Sequence, residues 1–143
     1  PLILMHRRGT PVTMQSNTDY VDLIGEVYSF LERRIERARQ GGVSQWGIDP
    51  GLGFSKTVGG NFMLLKHMRH FANLGCPLLV GASRKSFIWK TLGETADEAL
   101  EGSLALAVLS RAAGAHILRV HDVQASCRAL RVADAVLQAE VEF

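Results

Sequence analysis

The sequence holds little sulfur, little aromatic area and no long apolar run, and each shortage removes a class of protein. Only two cysteines, Cys76 and Cys127, occur in 143 residues, far apart and outside any Cys-x-x-Cys pair. A disulfide framework or a cysteine-rich zinc site therefore has no basis, and free thiols in a reducing compartment are expected. No stretch approaches the ~18 apolar residues that a membrane span needs. No basic-then-apolar leader is visible either, so neither membrane insertion nor secretion is expected. Long blocks of one charge are missing too. Arg33, Arg34, Arg37 and Arg39 alternate with Glu32 and Glu36, as on a solvated helix face. Aromatic residues make up 7% of the chain and do not accompany the arginines, so nucleic acid is not an expected partner.

What is present suits one domain and its core: 47% hydrophobic residues with a net charge of +2. Four short apolar runs punctuate the chain, at 2–5, 45–49, 78–82 and 116–120. Their brevity and near-continuous apolarity suit strands buried on both faces of a parallel sheet. A helical pattern follows each. From Tyr20, the residues Ile24, Val27, Leu31, Ile35 and Ala38 recur at helical spacing up to Gly41-Gly42. Asn61 is the expected cap of a second helix through Phe62, Leu65, Met68 and Phe71, ending near Gly75. Thr95-Ala-Asp-Glu98 predicts a capping box opening a third helix that stops at Gly114. Asp122 is the expected cap of the last, with Val123, Cys127, Leu130, Ala133 and Leu137 on its apolar face.

Strand and helix thus alternate four times, which predicts an α/β fold with a parallel sheet. The repeat of about 36 residues is close to the ~31 per unit of an eight-unit barrel. Period alone leaves half a barrel and a small doubly wound sheet both open. The sequence begins at Pro1 directly inside an apolar run, so a longer polypeptide is expected, since alone these residues would leave strand edges exposed.

In parallel α/β folds, ligands bind where the strands run into their helices. Those four places read Met5-His-Arg-Arg-Gly-Thr-Pro11, Asp49-Pro-Gly-Leu-Gly-Phe-Ser-Lys56, Gly81-Ala-Ser-Arg-Lys-Ser86 and Arg119-Val-His-Asp122. Charge and glycine gather at these ends and hardly at the opposite ones. Arg84, Lys85, Arg119 and His121, joined by Arg7 or Arg8, are expected to converge on one mouth suited to a phosphate-like anion. Ser86 is the expected cap of a short helix over 87–92, whose N–H groups would face the same opening. Asp49 ends a strand and can fix the N–H donors of a flat guanidine-like ring.

Other signals fail. Gly51-Leu-Gly-Phe-Ser-Lys56-Thr57 lacks the glycine that a P-loop needs before its lysine. His67 and His70 lack a second ligand motif, so no zinc site is expected. Trp46, Trp89 and Met63 are assigned to packing, and no nucleophile elbow is present.

The same four segments resemble the dihydropteroate synthases in wording, order and spacing, over nearly the whole chain. That resemblance implies a (β/α)8 TIM barrel, of which residues 1–143 would supply the last four β/α units of a single pterin-binding domain. It implies joining of a pterin diphosphate to p-aminobenzoate, with diphosphate leaving. By resemblance, Asp49 and Lys85 would hydrogen-bond the pterin ring and Met5 would line its pocket. Arg119 would stack on the pterin and, with His121, hold the diphosphate. Gly53, Phe54 and Ser83 would contribute to the p-aminobenzoate pocket that sulfonamides also occupy. Arg84 would lie nearby, and Gly81 opens that substrate-binding segment. Mg2+ accompanies the diphosphate in this family, with its protein ligand expected in the N-terminal half, so no metal ligand is assigned here. Family members are often homodimers through late helices. The expected compartment is the cytoplasm, with a mitochondrion open for a eukaryotic source. Arg7 departs from the smaller or uncharged residue common at its place. Two alternatives stay open. A pterin-dependent methyltransferase shares the pterin pocket but needs no diphosphate clamp, and a non-catalytic barrel fragment would act as a scaffold.

Overall fold

The computed structural model describes residues 1–140. Among them, each of four strands is followed by an α-helix, β3 by two: β1 (Leu2–Met5), α1 (Leu23–Gln40), β2 (Trp46–Asp49), α2 (Val58–Lys66), β3 (Leu79–Val80), α3 (Ser86–Leu92), α4 (Leu100–Ala112), β4 (Ile117–Leu118) and α5 (Val123–Leu137). β1 pairs parallel to β2 with Met5 beside Asp49, and β3 pairs parallel to β4. A parallel bridge from Ile48 to Leu78 joins the two pairs into one order, β1-β2-β3-β4. β3 and β4 are shorter than the apolar runs that carry them. The pairing nevertheless continues as backbone bonds, Ile48 N–H to Pro77 O at 2.9 Å and Arg119 N–H to Val80 O at 2.9 Å.

The strands run the same way, so their C-terminal ends share one rim. Behind them, α1 lays Val27, Leu31, Ile35 and Ala38 against the sheet, a stripe at helical spacing. Burying each of the larger three is worth roughly 1.5–3 kcal/mol. Ile48, Leu64, Met68, Phe71, Leu78 and Phe87 fill the centre of the same core. Trp46 and Trp89 pack on its margin, as expected. Met63, expected to pack, is instead 51% exposed.

Helix starts depart from the predicted ones for identifiable reasons. α1 begins after Asp22, not at Tyr20, because the Asp22 carboxylate accepts the Gly25 N–H at 3.0 Å. α2 starts after Thr57, whose hydroxyl accepts the Gly60 N–H at 3.0 Å. Asn61, the predicted cap, lies inside the first turns of that helix. The helix ends at Lys66, and a 3-10 segment, Met68–Leu74, completes the stretch to Gly75. Thr95 and Glu98 do bond, but the pair closes an isolated turn ahead of α4. Lys85 rather than Ser86 holds the cap position of α3, with no side-chain bond. α5 turns its small side inward. Ser126 is buried, whereas Val123 and Leu137 of the predicted apolar face are 60% and 48% exposed and Cys127 is exposed.

Candidate active site

Neighbouring loops at the C-terminal rim are stitched together in strand order. The loop after β1 meets the loop after β2 at three places. His6 N–H donates to the Asp49 carbonyl at 3.0 Å, Ser55 Oγ exchanges bonds with both backbone groups of Arg8, and Gln15 Nε2 donates to Gly53 O at 3.2 Å. The loop after β2 meets that after β3 where Lys85 Nζ lies 4.0 Å from the centre of the Phe54 ring. The loop after β3 meets that after β4 at Ser83, whose Oγ lies 3.0 Å from His121 Nδ1 and accepts the His121 backbone N–H at 3.2 Å.

Asp49 sits at the centre of this row and is buried. Its carboxylate accepts the Gly51 N–H at 2.7 Å, the tight loop that Pro50 and Gly51 allow. Burial pushes its pKa up. The Gly51 bond and the positive charges of Arg119, Lys56 and Lys85 act in the opposite direction. Lys85 is pulled down by burial and by the neighbouring Arg119, and is drawn back by Asp49. A buried acid thus faces cations from three loops, and on the same rim Arg119 and His121 are exposed. Such a rim suits a flat polar ring against the acid and an anion against the cations.

Two glycines make room for these side chains. Gly53 has φ +80°, which β-carbon-bearing residues rarely adopt, and a Cβ there would sit 3.0 Å from Lys85 Cδ. A Cβ at Gly81 would lie 2.6 Å from Arg119 Nη2, so the arginine lies flat across bare backbone.

The structure gathers Met5, Asp49, Gly53, Phe54, Gly81, Ser83, Lys85, Arg119 and His121 along one rim. Two expected cations are diverted. The Arg84 guanidinium is bound by Asp122 through Nε at 3.1 Å and Nη2 at 2.8 Å, and by Asp97 at 3.3 Å. Asp122 is held below the usual carboxylate range by those bonds; it stands at the cap position of α5 as predicted, but its carboxylate is spent on Arg84 rather than on the helix N–H groups. Arg8, expected at the cation mouth, turns away to pair with Glu26 and stack on Tyr20 at 3.7 Å.

Three contributors escaped the sequence. Asn61 Oδ1 accepts the Gly53 N–H at 2.6 Å and Nδ2 donates to Thr57 O at 2.8 Å, holding the glycine from inside α2. Ser55 is buried with φ +56°, a strained backbone for serine that its two bonds to Arg8 secure. Lys56 is buried and donates to Gly51 O and Phe54 O at 3.0 and 2.9 Å. A lysine following a glycine-rich loop was the available signal, but it did not reveal these carbonyl partners.

The family model for pterin binding enzymes matches residues 1–121. The chain belongs to the pterin binding enzyme family. Within that family it is 48% identical over 139 residues to a dihydropteroate synthase of Synechocystis sp., covering 95% of this chain and 48% of the relative. It is 43% identical over 142 residues to that of Escherichia coli, covering 98% and 50%. The solved dihydropteroate synthase of Thermus thermophilus in complex with 4-aminobenzoate superposes with a TM-score of 0.91 at 39% identity. That match covers 94% of this chain and 56% of the other. The Stenotrophomonas maltophilia enzyme gives 0.95 at 38%, covering 99% and 54%. The chain therefore spans about half the length of the relatives it matches, and its four β/α units are half of a (β/α)8 barrel, as expected.

Proposed function

We propose that this chain is one half of a single pterin-binding barrel domain and carries the C-terminal half of a dihydropteroate synthase site. The complete enzyme would join 6-hydroxymethyl-7,8-dihydropterin diphosphate to p-aminobenzoate, releasing diphosphate. The observation that carries the reading is the buried Asp49 facing Lys85 and Arg119 from three successive loops. In this reading Asp49 and Lys85 hold the pterin ring, with Met5 along its edge. Arg119 lies on the ring and reaches the diphosphate with His121. Gly53, Phe54 and Ser83 receive p-aminobenzoate, and Gly81 leaves space for Arg119. Arg84 contributes by fixing the Ser83–Lys85 segment to Asp122 rather than by touching substrate.

The chemistry asked of these residues is electrostatic. As the carbon–oxygen bond to diphosphate breaks, positive charge grows on the pterin methylene and negative charge on the leaving group. Ionised Asp49 stabilises the first, and Lys85, Arg119 and His121 stabilise the second. The aryl amine then attacks the methylene and loses a proton. It is neutral near pH 7, so alignment rather than a general base is what the protein supplies.

The described residues build no seat for magnesium. Among the described residues no three His, Cys, Asp or Glu side chains gather to hold an ion, Asp122 is taken by Arg84, and Asp49 is already ringed by cations. The ion would therefore arrive with the diphosphate, its protein ligand lying outside these residues, and no step is assigned to it. A homodimer through α4 and α5 is part of the same reading, supported by the exposure of Leu109, Val132, Val136 and Leu137. No helix among the described residues is long and apolar enough to cross a membrane, and a cytoplasmic location is proposed with the activity.

The test is turnover. The purified 143-residue chain, given both substrates, should form no dihydropteroate, because half of the barrel rim is missing. The chain completed by the remaining half of the barrel should form it readily. Ready turnover by the chain alone, or none by the complete enzyme, would refute the reading.

A further inference from the structure

Lys56 is 5% exposed and touches no substrate in the reading proposed above. Its Nζ touches three groups: the carbonyl oxygens of Gly51 at 3.0 Å and Phe54 at 2.9 Å, and His6 Nδ1 at 3.0 Å. Two partners belong to the loop after β2, which carries Asp49, Gly53 and Phe54. The third stands at the end of β1. His6 is itself buried, edge-on to Phe30 with ring centres 4.9 Å apart, so it is a fixed anchor.

The three partners satisfy the lysine in either charge state. The carbonyls only accept, whereas Nδ1 of a neutral imidazole donates or accepts according to its tautomer. As an ammonium, Lys56 donates to all three. As an amine, it donates to both carbonyls and accepts a hydrogen bond from His6 Nδ1–H. Burial holds His6 at about 3, and therefore neutral, and brings Lys56 to about 7. The clamp thus survives the lysine's own titration.

We propose that Lys56 is a positioning residue for p-aminobenzoate: it ties the Gly51 and Phe54 carbonyls to His6 and so sets where Gly53 and Phe54 stand against Lys85. The proposal rests on the synthase reading above. Lys56 acts through Phe54, the residue over which Lys85 rests. Asp49 feels the Lys56 charge and shares Gly51 with it, but is fixed in addition by its place in β2 and its own carboxylate bond to Gly51 N–H. Losing Lys56 therefore disturbs the p-aminobenzoate side more than the pterin side.

The experiment is Lys56→Met in the complete enzyme, with KM determined for each substrate. Methionine keeps the apolar stem and removes the three bonds. The expected result is a KM for p-aminobenzoate raised about 10-fold, with the KM for the pterin diphosphate within about 3-fold of wild type. Partial unfolding lowers the active fraction and so the apparent kcat, but leaves KM untouched, which separates positioning from general damage. Should Lys56→Met fail to fold, His6→Gln removes the anchor while sparing both carbonyl bonds. A rise of about 3-fold in the same KM is then expected. Both KM values rising together, or neither changing in the folded variant, would overturn the proposal. A wild-type enzyme without turnover would sink the synthase reading, and this proposal with it.

Discussion

Ser83 Oγ accepts the backbone N–H of His121 and lies 3.0 Å from Nδ1 of the same residue, so one hydroxyl holds both its backbone and its ring. Nε2 is then the ring nitrogen turned away from Ser83. Ser83→Ala should release the ring. We expect kcat/KM to fall about 10-fold, while the unfolding free energy falls by roughly 1–3 kcal/mol, two ordinary hydrogen bonds. Steady-state kinetics alongside urea denaturation check this. An unchanged rate would mean that His121 needs no orientation.

Asp49→Asn preserves an oxygen for the Gly51 N–H and removes only the charge. The fold should persist. Turnover should fall about 100-fold, equivalent to ~2.7 kcal/mol of transition-state stabilisation. Folding stability near neutral pH should hold or rise, since burial already disfavours the carboxylate. Calorimetry and turnover on the same sample test both halves.

Gly81→Ala would bring a methyl within 2.6 Å of Arg119 Nη2. The guanidinium is the flexible end of its side chain and will yield, so melting temperature should barely move. Activity should fall by about 10-fold or more, as for Lys85→Ala and Arg119→Ala, each worth at least ~1.4 kcal/mol. A large loss of melting temperature with normal kinetics would show that Gly81 serves folding alone.

Lys56 gives the stability a pH signature. Its folded value, about 7, lies below the ordinary 10.5 of the unfolded chain. Between those values the unfolded state binds more protons, so stability rises with pH across that window and the penalty is complete below about pH 7. Lys56→Met should abolish this rise. Urea denaturation at about pH 7 and about pH 10 should show wild type gaining on the variant by a few kcal/mol. His6 adds a second signature of the same sign, with stability lost as pH falls from 6.5 towards about 3.

The alternation of strands and helices, the parallel sheet and the rim position of Asp49, Lys85, Arg119 and His121 were legible because each follows from apolar patterning and the shared direction of the strands. Local competition was not. Asn61 read as a cap, yet Thr57 caps α2 and frees the amide to hold Gly53. Asp122 read as a cap, yet a bidentate arginine from another loop claims it. Arg84 and Arg8 looked like members of a cation cluster, and both are neutralised by acids distant in sequence. Lys56 hid for the same reason: two of its partners are backbone carbonyls, which sequence patterns do not reveal.

The central claim is that loops from three strands make one site, and a double-mutant cycle in kcat/KM between Asp49→Asn and Arg119→Ala tests it most directly. Removing the acid alters the field in which the arginine works, so the two losses should couple by about 1 kcal/mol or more. Strictly additive losses, within ~0.3–0.5 kcal/mol, would contradict a shared site.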